Sequence, residues 1–197
     1  MDAKTHSALE LGWRLVAATL ERLAVLAGRG WLLGPVWARA FAELRRAEGV
    51  ARRMLVVLAA GVTVEAASRR EDRMKSTNPA SNTPKTPGFA LFDPLPELNF
   101  SAPCDGAPDW AAEPVPHTTH GLAARLAALS ALAENPAPAV RRMTLWLARR
   151  KRGRTTPLRP GAPPGTSGSQ WLEREADVAW QCDGRARDAL NGAGQSP

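Results

Sequence analysis

The sequence predicts an all-α protein: two helical hairpins joined by a Pro-rich extended segment, with part of the chain disordered. Three observations carry this. Apolar residues recur at alternating steps of three and four through residues 7–27, 35–68 and 120–150, a spacing that gathers one face of a helix. Nine prolines crowd the 44 positions of 76–119, where a fixed φ and a missing N–H work against helix and central strand alike. Gly28, Gly30 and Gly34 in the first half, and Pro136 and Pro138 in the second, cut the periodic stretches into helix–turn–helix units.

The organisation that follows is an N-terminal hairpin over 1–75, a Pro-rich linker over 76–119, a basic hairpin over 120–155, and a flexible region over 156–197. In the first hairpin, Ser7-Ala-Leu-Glu10 has the spacing of a capping box, in which hydroxyl and carboxylate satisfy the first free amides. Leu9, Trp13, Val16, Leu20, Leu23 and Ala27 then form one stripe. Pro35 suits the first turn of a second helix, expected over 35–68, with Trp37, Phe41, Leu44, Ala51, Leu55, Leu58 and Val62 on its stripe. Glu48 interrupts that stripe, and Gly49 and Gly61 are candidate bends. Around 54–64 the apolar groups cover nearly the whole circumference, so that stretch is expected to be buried.

Within the linker, GFALFDPLPELNF (88–100) carries six large apolar groups, more than a spacer needs. One expectation is that it lies across the helices and covers them. The other is a short linear motif that docks on a partner through Phe89, Phe92, Leu95, Leu98 and Phe100. In the second hairpin Leu122, Leu126, Leu129 and Ala133 line one face, a two-proline turn follows, and a helix restarts near Ala139. PLRPGAPPGTSGS (157–169) reads as a break. A weak last helix is expected over 169–190, with Trp171, Val178 and Cys182 on one side.

Net charge is +7, which favours an anionic partner. Arg outnumbers Lys 22 to 4 and Ala is the commonest residue at 36, a bias that GC-rich coding also produces, so the overall charge carries half its usual weight. Its distribution is more telling: residues 120–169 hold a net +8 while 76–119 hold −4. On a helical wheel Arg141, Arg142, Arg149 and Arg152 fall within about 100° of one another, opposite Val140, Met143, Trp146 and Leu147, with Leu145 inside the basic sector. Gly153 is expected to end this helix, with Arg150, Lys151 and Arg154 adding to the run at its C-terminal end. The candidate anion-binding set is therefore Arg141, Arg142, Arg149, Arg150, Lys151, Arg152 and Arg154. The plainest reading of these charges is a solvated face, with Arg149–Arg154 sitting favourably at a helix C-terminus. As an anionic partner, nucleic acid, through phosphate contacts, comes ahead of an anionic membrane surface.

LAALSALAENPAPAVRRMTLWLARR (126–150) resembles one helical-hairpin unit of HEAT type, its Pro turn followed by Val-Arg. More narrowly, a short Leu/Ala helix, a Pro or acidic turn and then RRMTLWLARR is similar to a family of small bacterial proteins with an RRMxLWLARR-like segment. The resemblance covers little more than residues 126–150 of 197 and implies no activity and no site residues. The same stretch has an internal echo: RRMLVVLAA at 52–60 shares Arg-Arg-Met and a Leu-Ala pair, in register, with RRMTLWLAR at 141–149.

Enzymatic signatures are scarce. GAPPGTSGS (161–169) has the glycines of a phosphate loop without its Lys-Ser/Thr. His117-Thr-Thr-His120, with Cys104, Asp105 and Asp109 upstream, fits no strong zinc spacing. Thr118 or Thr119 is expected to cap a helix there, with the histidines solvated. No catalytic residue, cofactor or metal is assigned. Cys104 and Cys182 make no disulfide framework and fit a reducing cytoplasm, their pairing left open. MDAKTHSALELGWRL has no apolar stretch before Arg14, so no signal peptide is expected. MLVVLAAGVTV (54–64) covers about half a bilayer core, so no transmembrane helix is expected either. The sequence thus favours a small cytoplasmic regulatory, adaptor or assembly protein that contacts a protein partner or a second copy. A nucleic-acid-associated protein using 141–154 is the alternative.

Overall fold

A computed structural model describes residues 3–62, 89–91, 116–149, 158 and 173–192. Five helices and one small antiparallel ribbon make up the described chain: α1 (Ala3–Ala27), β1 (Trp31–Leu33), α2 (Gly34–Ala60), β2 (Pro116–Thr118), α3 (His120–Glu134), α4 (Ala137–Arg149) and α5 (Glu173–Gly192). The all-α class expected from the periodicity holds. None of these helices is long and apolar enough to cross a membrane.

α2 is the axis of the bundle. From Ala47 to Val57 every residue is buried, the charged Glu48, Arg52 and Arg53 included. Of the 54–64 stretch expected to be buried, Met54 to Val57 and Ala59 are, whereas Ala60, Gly61 and Val62 are exposed and 63–64 lie outside the described residues. α1, α4 and α5 lie along it, and α3 lies principally on α1. Leu23, Leu44, Met54, Leu55, Leu122, Leu129 and Met143 are among the largest side chains fully removed from solvent. Burying each contributes on the order of 1.5–3 kcal/mol. They belong to one continuous core that also takes in Phe89, Leu158, Ala179, Cys182 and Ala186.

Several expectations are corrected. α1 is already helical at Ala3, so Ser7 lies inside it, exposed, rather than at a cap. α2 runs unbroken past Gly49 and closes at Gly61, whose N–H bonds back to the Leu58 carbonyl at 3.2 Å. α3 and α4 follow one another across a short Pro turn, yet their main partners are α1 and α2 respectively. The second half of the chain is thus laid onto the first instead of forming a hairpin core of its own. α5 is not a weak appendage: Ala179, Cys182, Asp183 and Ala186 are all buried against α1 and α2. Its Val178 and Cys182 turn inward as expected, while Trp171 lies outside the described residues.

The ribbon was not expected, because Pro116 and its neighbours read as linker. β1 and β2 pair with Trp31 opposite Thr118, Leu32 opposite His117 and Leu33 opposite Pro116. Leu32 alone in β1 points into the core. Gly30, at φ +76°, makes the turn that leads from α1 into β1. Thr119 locks the junction. Its N–H donates to the Gly30 carbonyl at 3.1 Å, its hydroxyl donates to the Ala27 carbonyl at 2.9 Å, and its own carbonyl accepts the first helical bond of α3 from Ala123 at 2.8 Å. The threonine expected to cap α3 with its side chain therefore spends that hydroxyl on the end of α1.

Candidate functional site

The polar groups brought together inside the bundle are two arginine–carboxylate clusters, both mounted on α2. Arg53 is fully enclosed and donates from Nε to Asp183 Oδ1 of α5 at 2.6 Å, and from Nη1 to the Gly49 carbonyl at 3.0 Å. Asp183, 2% exposed, accepts in addition from Arg187 Nε at 2.6 Å. A charge that deep is tolerated only when opposite charge and hydrogen bonds meet it at short range. Cys182 sits beside this pair, its thiol 3.5 Å from the Ala8 carbonyl. Burial, helped by Asp183 and opposed by Arg53, pushes the Cys182 pKa up to about 11. The thiol is therefore held protonated and poorly nucleophilic.

The second cluster is centred on Glu48. Arg125 of α3 grips its carboxylate with two bonds, Nε to Oε1 at 2.9 Å and Nη2 to Oε2 at 2.6 Å. Arg52, one turn along α2, donates to the same Oε2 at 3.2 Å. Arg52 also donates from Nε to the Ala90 carbonyl at 2.9 Å, and its guanidinium lies 5.2 Å from the Phe89 ring centroid. On the other side, Arg125 lies 5.6 Å from the Phe41 ring. Phe41 is tilted against Trp37 at 4.3 Å, and Trp37 stacks on His117 of β2 at 4.8 Å. One line of ring and ion contacts thus joins β2, α2, α3 and the 89–91 segment.

Both carboxylates are consumed by guanidinium groups, which suits them to fixing the helices rather than to proton transfer. A third, more exposed network links Arg22 of α1 to Glu43 of α2 at 3.8 Å and to Glu175 of α5 at 3.5 Å. Ion pairs of this exposure contribute at most about 1 kcal/mol. Nearby, burial lowers the Arg46 pKa, against the opposing fields of Glu43 and Glu175. An apolar groove of about 560 Å³ between α1 and the end of α2 is lined by Leu9, Trp13, Ala17 and Leu58, with His6 and Arg14 at its rim. Among the described residues no group of three metal-ligating side chains assembles. His117 is half-buried under Trp37 rather than solvated, whereas His120 is exposed at the start of α3.

Of the residues nominated for partner docking, Phe89 is 8% exposed and belongs to the core. It is an internal contact, and Leu91 packs partly against the same core. Phe92, Leu95, Leu98 and Phe100 lie outside the described residues. Of the nominated anion-binding residues, Arg141 and Arg142 are exposed on α4, while Met143 beneath them is fully buried and Trp146 and Leu147 are half-buried. Leu145, which falls in the basic sector, is half-buried as well. Arg149 ends α4 with its side chain outside the described set, as are Arg150, Lys151, Arg152 and Arg154. Sequence reasoning missed Glu48, Arg52, Arg53, Arg125 and Asp183. The available signal was Glu48 itself, an acid placed on an otherwise apolar stripe with two arginines one turn further on.

Comparison with protein-family models, with curated proteins and with solved structures finds no match for this chain.

Proposed function

We propose that this is a small helical adaptor or assembly protein acting through protein–protein contacts. The observation that carries the reading is the outward face of the ribbon. Trp31 is 59% exposed, and Leu33, on the same side of β1 by strand alternation, is 41% exposed. Val36 follows in the first turn of α2 at 42%. Large apolar groups set close together on a surface, with an aromatic among them, are the usual material of a protein contact. This moves the expected contact from Phe89, which the core absorbs, to the ribbon. A reducing, cytoplasmic setting is part of the same proposal and rests on the sequence having only two cysteines, Cys104 and Cys182. The test is the double variant Trp31→Glu, Leu33→Glu, compared with the native chain in sedimentation and in quantitative partner capture. Loss of self-association or of a specific partner, at an unchanged melting temperature, supports the reading. Unchanged association refutes it.

A second reading draws on Arg141 and Arg142, exposed on α4 above a buried Met143. A helix anchored by its apolar face can present these guanidinium groups to phosphates. Retention on DNA or RNA that falls steeply with salt, and falls further in Arg141→Glu, Arg142→Glu, supports it. Retention indifferent to both changes excludes it.

A further inference from the structure

Phe89, Ala90 and Leu91 touch the bundle far from either neighbour in sequence, 29 positions after the end of α2 and 25 before β2. Burial alternates along them. Phe89 is in the core, Ala90 is exposed and Leu91 is half-buried. That is the pattern of an extended peptide laid on a surface, with every second side chain turned down. Among the described residues, the polar anchoring of this segment is one bond, from Arg52 Nε to the Ala90 carbonyl at 2.9 Å. The same guanidinium faces the Phe89 ring at 5.2 Å. A side chain that binds a backbone carbonyl while apolar residues on either side enter the surface is the chemistry of short-peptide recognition.

We propose that Phe89–Ala90–Leu91 is an internal peptide ligand of the bundle: a strap that docks on and leaves α2 through Arg52, which acts as its latch. Arg52 is not free to wander. Glu48 holds it at 3.2 Å, and Glu48 is itself held in place by the two bonds from Arg125. This arrangement also makes the latch separable from the fold. Without the Arg52 guanidinium, Glu48 still has Arg125 as a bidentate counterion, so the Glu48 carboxylate is not left uncompensated. The strap goes beyond the ribbon contact proposed above and stands without it.

Two measurements on the full chain test the strap. The first is the initial rate of chymotryptic cleavage at the Phe89–Ala90 bond, mapped by mass spectrometry under native conditions. Arg52→Ala is expected to raise that rate at least tenfold, while cleavage at Leu55 inside α2 stays undetectable. If Arg52→Ala does not fold, Arg52→Lys is read in its place, since it keeps the charge beside Glu48 but loses the Nε donor and the planar face. The second is binding of a labelled peptide of residues 86–94 (TPGFALFDP) to the Phe89→Ala chain, in which the native strap is weakened. Saturable binding that is lost in Phe89→Ala, Arg52→Ala is expected. The proposal is overturned if cleavage at Phe89–Ala90 appears only when Leu55 is cut as well, because 89–91 is then ordinary core. It is overturned equally if the peptide fails to bind, or binds with no dependence on Arg52.

Discussion

The tripeptide Arg-Arg-Met occurs twice, and the two copies show how far position governs a side chain. Met54 and Met143 are both fully buried, yet Arg52 and Arg53 lie inside the protein at 3% and 0% exposure while Arg141 and Arg142 face solvent. The difference is the carboxylate supply: Glu48 sits one turn before Arg52, and α5 delivers Asp183 to Arg53. Removing one partner of so deep a pair takes away the short-range ion pair that offsets the burial of the other. Asp183→Ala is therefore expected to cost about 3–5 kcal/mol in denaturant unfolding, whereas Arg53→Met, Asp183→Leu together is expected to cost far less. Cys182 adds a pH dependence with a definite sign. Its pKa is about 11 in the folded protein against 9.0 as the ordinary value. The protonated thiol thus contributes stability that is complete below pH 9 and is lost as pH rises through about 11. The native chain is expected to lose stability more steeply across that window than Cys182→Ala, as followed by urea unfolding at each pH. Alkylation of Cys182 at pH 8 is expected to await unfolding.

At the level of elements, two glycines show opposite physical needs. Gly30 holds φ at +76° with nothing within 4 Å of where a Cβ would stand, so its requirement is backbone conformation alone. Gly30→Ala is expected to destabilise by about 1 kcal/mol, measured by thermal unfolding, with the ribbon otherwise intact. Gly12 is helical and its requirement is space. A Cβ there would stand 2.5 Å from Met54 Sδ and 3.1 Å from Cys182 Sγ. Although alanine is the better helix former by about 1 kcal/mol, the fully buried Met54 thioether would have to shift within the core to admit the methyl. Gly12→Ala is therefore expected to lose about 1–3 kcal/mol. The helices themselves were legible, because a 3.6-residue stripe is a property of local sequence: Leu9, Val16 and Leu23 in α1 and Leu122, Leu126 and Leu129 in α3 are all buried. The ribbon was not. Three residues are too few to show alternation, and β1 pairs with a strand 85 positions away whose first residue is a proline. Thr119 was singled out for its position, but its bond to Ala27 depends on a meeting of chain ends that spacing does not encode.

For the molecule as a whole, the decisive feature is that one helix is surrounded. The all-round apolar character of 54–64 predicted burial, which holds for Met54 to Val57 and Ala59 but not for the exposed Ala60 to Val62, and it did not say what would cover α2. The partners proved to be α1, α4 and α5, with the 89–91 strap beside Arg52. α5 was the hardest element to value from sequence. Its helix carries eight charged residues, and the one that matters most, Asp183, gains its role only by meeting Arg53 across 130 positions. α5 is therefore expected to belong to the same cooperative unit as α2 rather than to behave as a flexible tail. Native-state hydrogen exchange on the full chain tests this most directly, by comparing the amides of Cys182, Asp183 and Ala186 with those of Met54, Leu55 and Val56. Both sets are expected to exchange through the same global opening, with matching free energies and matching dependence on denaturant. Exchange of the α5 amides through an independent opening, with α2 still fully protected, would contradict that expectation.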